Sequence, residues 1–257
     1  MQLASQTYGS SGAPIIVLHG LFGSRENWHS MCLRLAHRFR VFSLDQRNHG
    51  ASPHASPMDY PTMAEDVREF IAGQALGPAH LLGHSMGAKT AMQLALIHPE
   101  LVRSITSVDM APREYTPRHQ KIIDGLLSLN LEAASSRHEL EQALAAFVPD
   151  LATRRFLLKN ARHSPRGFHW RMGLRQIAQN YPHLRAAVAG SPFSGPALFL
   201  RGEQSDYLLE SDTASIRRLF PKAEMRTVPQ AGHLVHMDNP DAFLNEVLDF
   251  VQRLQLL

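Results

Sequence analysis

The sequence predicts an α/β fold in which a mostly parallel sheet is flanked by helices and interrupted by a helical insertion. Three observations predict it. Short apolar runs alternate with helix-patterned segments over residues 14–109, the rhythm of parallel strands joined by right-handed crossovers. That rhythm stops at Pro112 and resumes with Pro196-Ala197-Leu198-Phe199-Leu200. Within the first half, one apolar run passes into a helix through Gly83-His84-Ser85-Met86-Gly87, a strand-to-helix turn that glycines permit and that exposes a serine hydroxyl.

The elements follow in order. Residues 2–8 suit an edge strand, and residues 14–18 form a run apolar enough for a strand buried on both faces. His19-Gly20-Leu21-Phe22-Gly23-Ser24 breaks it, and residues 27–38 then bring Trp28, Met31 and Leu35 near helical spacing. Residues 40–44 return to strand character. Thr62, with Glu65 three residues on, reads as a helix cap, and Met63, Val67, Phe70 and Ile71 form the apolar face behind it. After the strand at 79–82 comes a helix from Met86 to about His98, ended by Pro99, and a strand at 104–108 closed by Asp109. Residues 112–195 show helical patterns and no convincing strand. The final part reads as strand, helix around 215–220, strand at 224–228 and helix from Pro240 to Leu254. The expected division is a core of residues 1–111 and 196–257, with a lid of residues 112–195.

Composition narrows the function. At 257 residues and 44% hydrophobic, the chain has enough apolar material for a large core. A net charge of +3, with no basic run interleaved with aromatics, argues against nucleic acid as a partner. Residues 1–12 are polar and no eighteen apolar residues run together, so neither export nor stable membrane insertion is expected. A lone cysteine, Cys32, fits a reducing compartment, and the expected location is cytoplasmic. Fifteen histidines invite a metal reading, but there is no His-Glu-x-x-His, and the pairs His80/His84 and His233/His236 lack acidic or cysteine companions at ligand spacing. No metal and no cofactor are expected. The insertion holds twelve basic against six acidic residues, a bias that favours substrates with an anionic part.

The chemistry centres on Ser85. Gly83, Lys89 and Thr90 nearly spell a phosphate-binding loop, but Ala88 stands where that loop needs glycine. A serine needs a base to take its proton and an acid to orient the base. In a parallel sheet such groups collect beyond the carboxyl ends of strands. His233, in Gln230-Ala231-Gly232-His233-Leu234, is the histidine placed there after the last strand. Two carboxylates follow strands. Asp206 gives the order serine, acid, histidine and is favoured on position, with Asp109 as the alternative. Oxyanion donors are expected from Met86 N–H, at a helix start, and from Leu21 N–H, with Phe22 as the alternative. The side chains of Leu21, Phe22 and Met86 would line an apolar acyl pocket. His49, in Arg47-Asn48-His49-Gly50, follows an earlier strand and reads as a structural element of its loop.

With His19-Gly20, the Gly83–Gly87 turn, Asp206 and Gly232-His233 in this order, the chain resembles the α/β-hydrolase family over nearly its whole length. His-Gly-Leu-Phe-Gly-Ser at 19–24, Asp-x-Arg-Asn-His-Gly-x-Ser at 45–52 and Val-Asp-Met-Ala-Pro at 108–112 are similar to a branch of small bacterial carboxylesterases and acyl-thioester hydrolases. The resemblance implies the α/β-hydrolase fold, with a helical lid inserted after the strand that ends at Asp109. It also implies a lid motif at Phe168-His169-Trp170-Arg171-Met172-Gly173-Leu174 that places Trp170 near the acyl site, with Gly173 where the branch commonly has asparagine. Some members of the branch use an acid at the position of Asp109. The implied activity is a cofactor-independent serine esterase acting on short- to medium-chain acyl esters, with thioesters as secondary substrates. Other chemistries of the same constellation (carbon–carbon bond hydrolysis, perhydrolysis, lactone opening) and a ligand-binding receptor are the alternatives.

Overall fold

The computed structural model describes residues 1–165 and 167–254. Its first strand, β1 (Ser5–Tyr8), is an edge strand that runs antiparallel to β3 (Arg40–Leu44). The other strands, β2 (Pro14–Leu18), β4 (Ala79–His84), β5 (Val102–Val108), β8 (Ala197–Gly202) and β9 (Ala223–Val228), pair parallel with their neighbours in the order β1-β3-β2-β4-β5-β8-β9. The chain moves from β2 outward to β3 and then returns to place β4 on the other side of β2. This reversal opens a crevice beyond the carboxyl ends of β2 and β4, where a parallel sheet accepts ligands.

Period-two alternation assigns side chains to the two faces. On one face Ile16, Leu18, Phe42 and Leu81 join a cluster with helices α2 (Tyr60–Gly73) and α3 (Met86–Ile97). On the other, Ile15, Val17, Val41, Leu82 and Leu200 pack with α1 (His29–Leu35) and α10 (Pro240–Arg253). Helix α2 begins a turn before Thr62. Asp59 is its N-cap, accepting from Thr62 N–H at 2.8 Å, with Pro61 in the first turn. A carboxylate with a proline just inside the helix outcompetes the threonine as the start signal.

Between β5 and β8 the chain forms α4 (Gln120–Ser128), α5 (Arg137–Leu144), α6 (Leu151–Leu158) and α7 (Leu174–Arg185). It also forms a hairpin that the sequence pattern does not reveal, β6 (Ala161–Ser164) with β7 (Gly167–Trp170). Each strand has four residues; Arg162 and His163 give β6 no apolar alternation, and Phe168 and Trp170 in β7 make too short a run to signal a strand. Ile123, Leu126, Leu140, Leu157 and Ile177 belong to the same hydrophobic cluster as Ile16 and Leu18. The insertion is therefore packed into the core on that face of the sheet. The remaining helices, α8 (Thr213–Leu219) and the single turn α9 (Val235–Asp238), flank β9 in sequence. No helix among the described residues is long and apolar enough to cross a membrane.

Candidate active site

Ser85 stands between β4 and α3 with φ 52° and ψ −116°, a left-handed conformation that costs a non-glycine residue about 1–3 kcal/mol. Two glycines let the turn close. A Cβ on Gly83 would lie 2.3 Å from Gly87 O, and one on Gly87 would lie 2.3 Å from Leu18 O. Ser85 N–H donates to Val108 O at 3.1 Å, tying the turn to the end of β5. Among the described residues no hydrogen bond engages its hydroxyl.

Asp109, the residue after β5, also has positive φ, 52°, and its N–H donates to Leu200 O at 2.8 Å. Its buried carboxylate accepts His233 Nδ1–H at 2.7 Å, Gly202 N–H at 3.2 Å and the Ser205 hydroxyl. Burial pushes Asp109 up to about 7, against the hydrogen bonds from Ser205 and Gly202, which favour the carboxylate. His233 is pushed down to about 4 by burial and by the Arg118 cation, with Asp206 opposing. The imidazole is held neutral at neutral pH, with its proton on Nδ1 and its Nε2 lone pair free.

Here the expectation from chain order is corrected. Asp206 does not reach His233; its side chain is 73% exposed and pairs with Arg118 at 2.6 Å. The turn after β8, closed by Ser205 N–H to Gly202 O, directs Ser205 onto Asp109 and Tyr207 onto the ring of His233, 3.7 Å away and nearly parallel. Asp206, between them, faces outward. Neither Ser205 nor Tyr207 carried a sequence signal beyond its closeness to Asp206. His84 was equally silent: its Nε2–H donates to His233 O at 2.9 Å, fixing the histidine loop.

The loop after β2 is set by histidines. His19 Nδ1–H donates to Gly20 O and its Nε2 accepts Gln46 N–H at 3.0 Å. Phe22, at φ 62°, gives its N–H to His49 Nε2 at 3.1 Å, while His49 Nδ1–H donates to Arg47 O. Burial keeps both histidines neutral, His19 near 4 and His49 near 3. The bond to His49 occupies the Phe22 amide. The Arg47 guanidinium grips Asp66, and Asn48 O accepts Gly173 N–H at 2.8 Å, so the insertion docks on this loop through its backbone where the branch's asparagine is missing.

Two cavities meet at Ser85. The larger, about 620 Å³, is lined by Leu21, Phe22, Trp28, Phe156, His233 and Met237 among others. The smaller, about 40 Å³, is walled by Tyr60, Met86, Met110, Tyr115 and Leu184, with Lys89 behind. Trp170, expected at the acyl site, lines neither; it lies in β7 opposite Ala161. No cluster of three or more potential metal ligands occurs among the described residues.

A serine on a strained turn and a histidine paired with a buried acid thus line one cavity, and the chain's relatives, named esterases and lipases, make it a carboxylic ester hydrolase. A family model described as alpha/beta hydrolase fold matches residues 13–240, and the chain belongs to that family. It is 38% identical to the mouse sn-1-specific diacylglycerol lipase ABHD11 over 253 residues, covering 95% of this chain and 82% of the lipase. It is 30% identical to esterase YbfF of Escherichia coli over 238 residues, 92% of each chain. Among solved structures, a marine microorganism esterase superposes with a TM-score of 0.94 at 40% identity, over 97% of this chain and 99% of that one.

Proposed function

We propose that the protein is a serine carboxylesterase using Ser85, His233 and Asp109. His233 Nε2 removes the Ser85 proton as Oγ attacks the ester carbonyl, and Asp109 holds the imidazolium that forms. The oxyanion is received by the N–H groups of Leu21 and Met86, the second strengthened by the start of α3. Phe22 is set aside as a donor because its N–H is occupied by His49. Collapse of the intermediate expels the alcohol with the proton from His233; water, activated by the same histidine, then releases the acid. Residues 112–195 act as the lid. Acyl thioesters fit the same steps. The observation that carries the proposal is the 2.7 Å bond between His233 and buried Asp109, with His233 and Ser85 lining one cavity.

The test is covalent labelling. A fluorophosphonate should modify Ser85, and Ser85→Ala should lose roughly four to six orders of magnitude in ester turnover. An unlabelled protein with turnover unchanged in Ser85→Ala would sink the proposal. Asp109→Asn should cost about four orders of magnitude in kcat, whereas Asp206→Asn should keep turnover within about tenfold, since an exposed ion pair contributes little. The reverse pattern would return the acid's role to Asp206.

A further inference from the structure

We infer that the two cavities sort the two limbs of the ester: the acyl limb is short and enters the small cavity, and the leaving-group limb is long and apolar and lies in the large one. This rests on Ser85 as nucleophile and His233 as base. When the tetrahedral intermediate collapses, the bond from carbonyl carbon to alcohol oxygen breaks and that oxygen takes the proton from His233 Nε2. The alcohol oxygen must then lie within hydrogen-bond reach of His233. His233 lines the large cavity, beside His236 and Met237, and has no place among the walls of the small one. The remaining substituent of the carbonyl, the acyl chain, is left on the side of Met86 and the small cavity.

Size and stiffness follow. The small cavity, about 40 Å³, accepts a few heavy atoms, given that one water needs roughly 10–15 Å³ on this measure. Its walls are braced: Tyr60 O–H donates to Leu184 O at 2.6 Å, and Lys89 Nζ donates to Ala186 O at 2.6 Å and Arg113 O at 2.7 Å. The large cavity, about 620 Å³, has the volume and the apolar lining (Phe22, Ile122, Phe156, Leu157) for an extended hydrocarbon.

Two isomeric esters isolate the effect, because hexyl acetate and ethyl hexanoate differ only in which side of the ester carries the chain. Hexyl acetate should show a kcat/KM at least about tenfold higher, the scale set by methylenes that a pocket cannot admit. Leu184→Ala should narrow that ratio by speeding ethyl hexanoate. Should that variant fail to fold, Ile122→Trp, which fills the large cavity, should slow hexyl acetate more than ethyl acetate. Equal rates, or preference for ethyl hexanoate with Ser85-dependent turnover, overturn the limb assignment and leave the esterase standing. No Ser85-dependent hydrolysis of either ester, with no fluorophosphonate adduct, overturns both.

Discussion

Asp109 answers two opposed demands, since burial raises its proton affinity while three hydrogen-bond donors favour its charge. In the proposed mechanism the working form of the Asp109–His233 pair holds one proton, and below the pair's apparent pKa it takes a second and turnover falls. Arg118 and Asp206 tune that point from outside. Removing the cation in Arg118→Met relieves what lowers His233, so the acid limb of kcat/KM should move to higher pH; Asp206→Asn should move it lower. Profiles of the two variants that shift in the same direction would contradict this reading. Lys89, which gave the motif its false likeness to a phosphate loop, is 1% exposed and lowered to about 7 by burial. The unfolded chain then binds more protons than the folded one above pH 7, so this residue makes stability rise with pH. Urea unfolding should show a smaller gain from pH 7 to 9 in Lys89→Met than in the parent protein.

Elements explain which parts of the site were legible beforehand. Strand ends are strong signals, and they led to Ser85, His233 and both carboxylates. The choice between the carboxylates depended on a turn. Chain order cannot report that Gly202–Ser205 closes so as to aim Ser205 inward and leave Asp206 in solvent. The loop after β2 shows the same limit, because Leu21 and Phe22 are equivalent candidates for the proposed oxyanion donor until His49 takes the Phe22 amide. His49→Ala should therefore cost about 1–3 kcal/mol from an unsatisfied buried amide. It should also lower kcat with little change in KM, as the freed loop misplaces the Leu21 amide. Chemical denaturation and steady-state kinetics on a soluble ester measure the two effects.

Across the whole molecule, part of the basic charge of the insertion is held in ion pairs with the core. Arg113 pairs with Asp212, Arg118 with Asp206 and Arg171 with Glu26, all bridging from the insertion to the core segments. Lys159 lines the large cavity, as does Arg155, which pairs with Glu141 at 3.1 Å. Acyl-CoA turnover should fall as salt rises while neutral-ester turnover holds; equal responses would remove any steering role for these cations. The alternation of strands and helices was readable in the core segments, whereas the hairpin of four-residue strands was not. Nor did the pattern reveal that the insertion shares its hydrophobic cluster with the sheet. That shared cluster couples the shape of the large cavity to the packing of the whole molecule. A substitution that reshapes the cavity roof also loosens the packing that holds the molecule together, so laboratory variants gaining bulkier esters should show lower melting temperatures in a single cooperative transition.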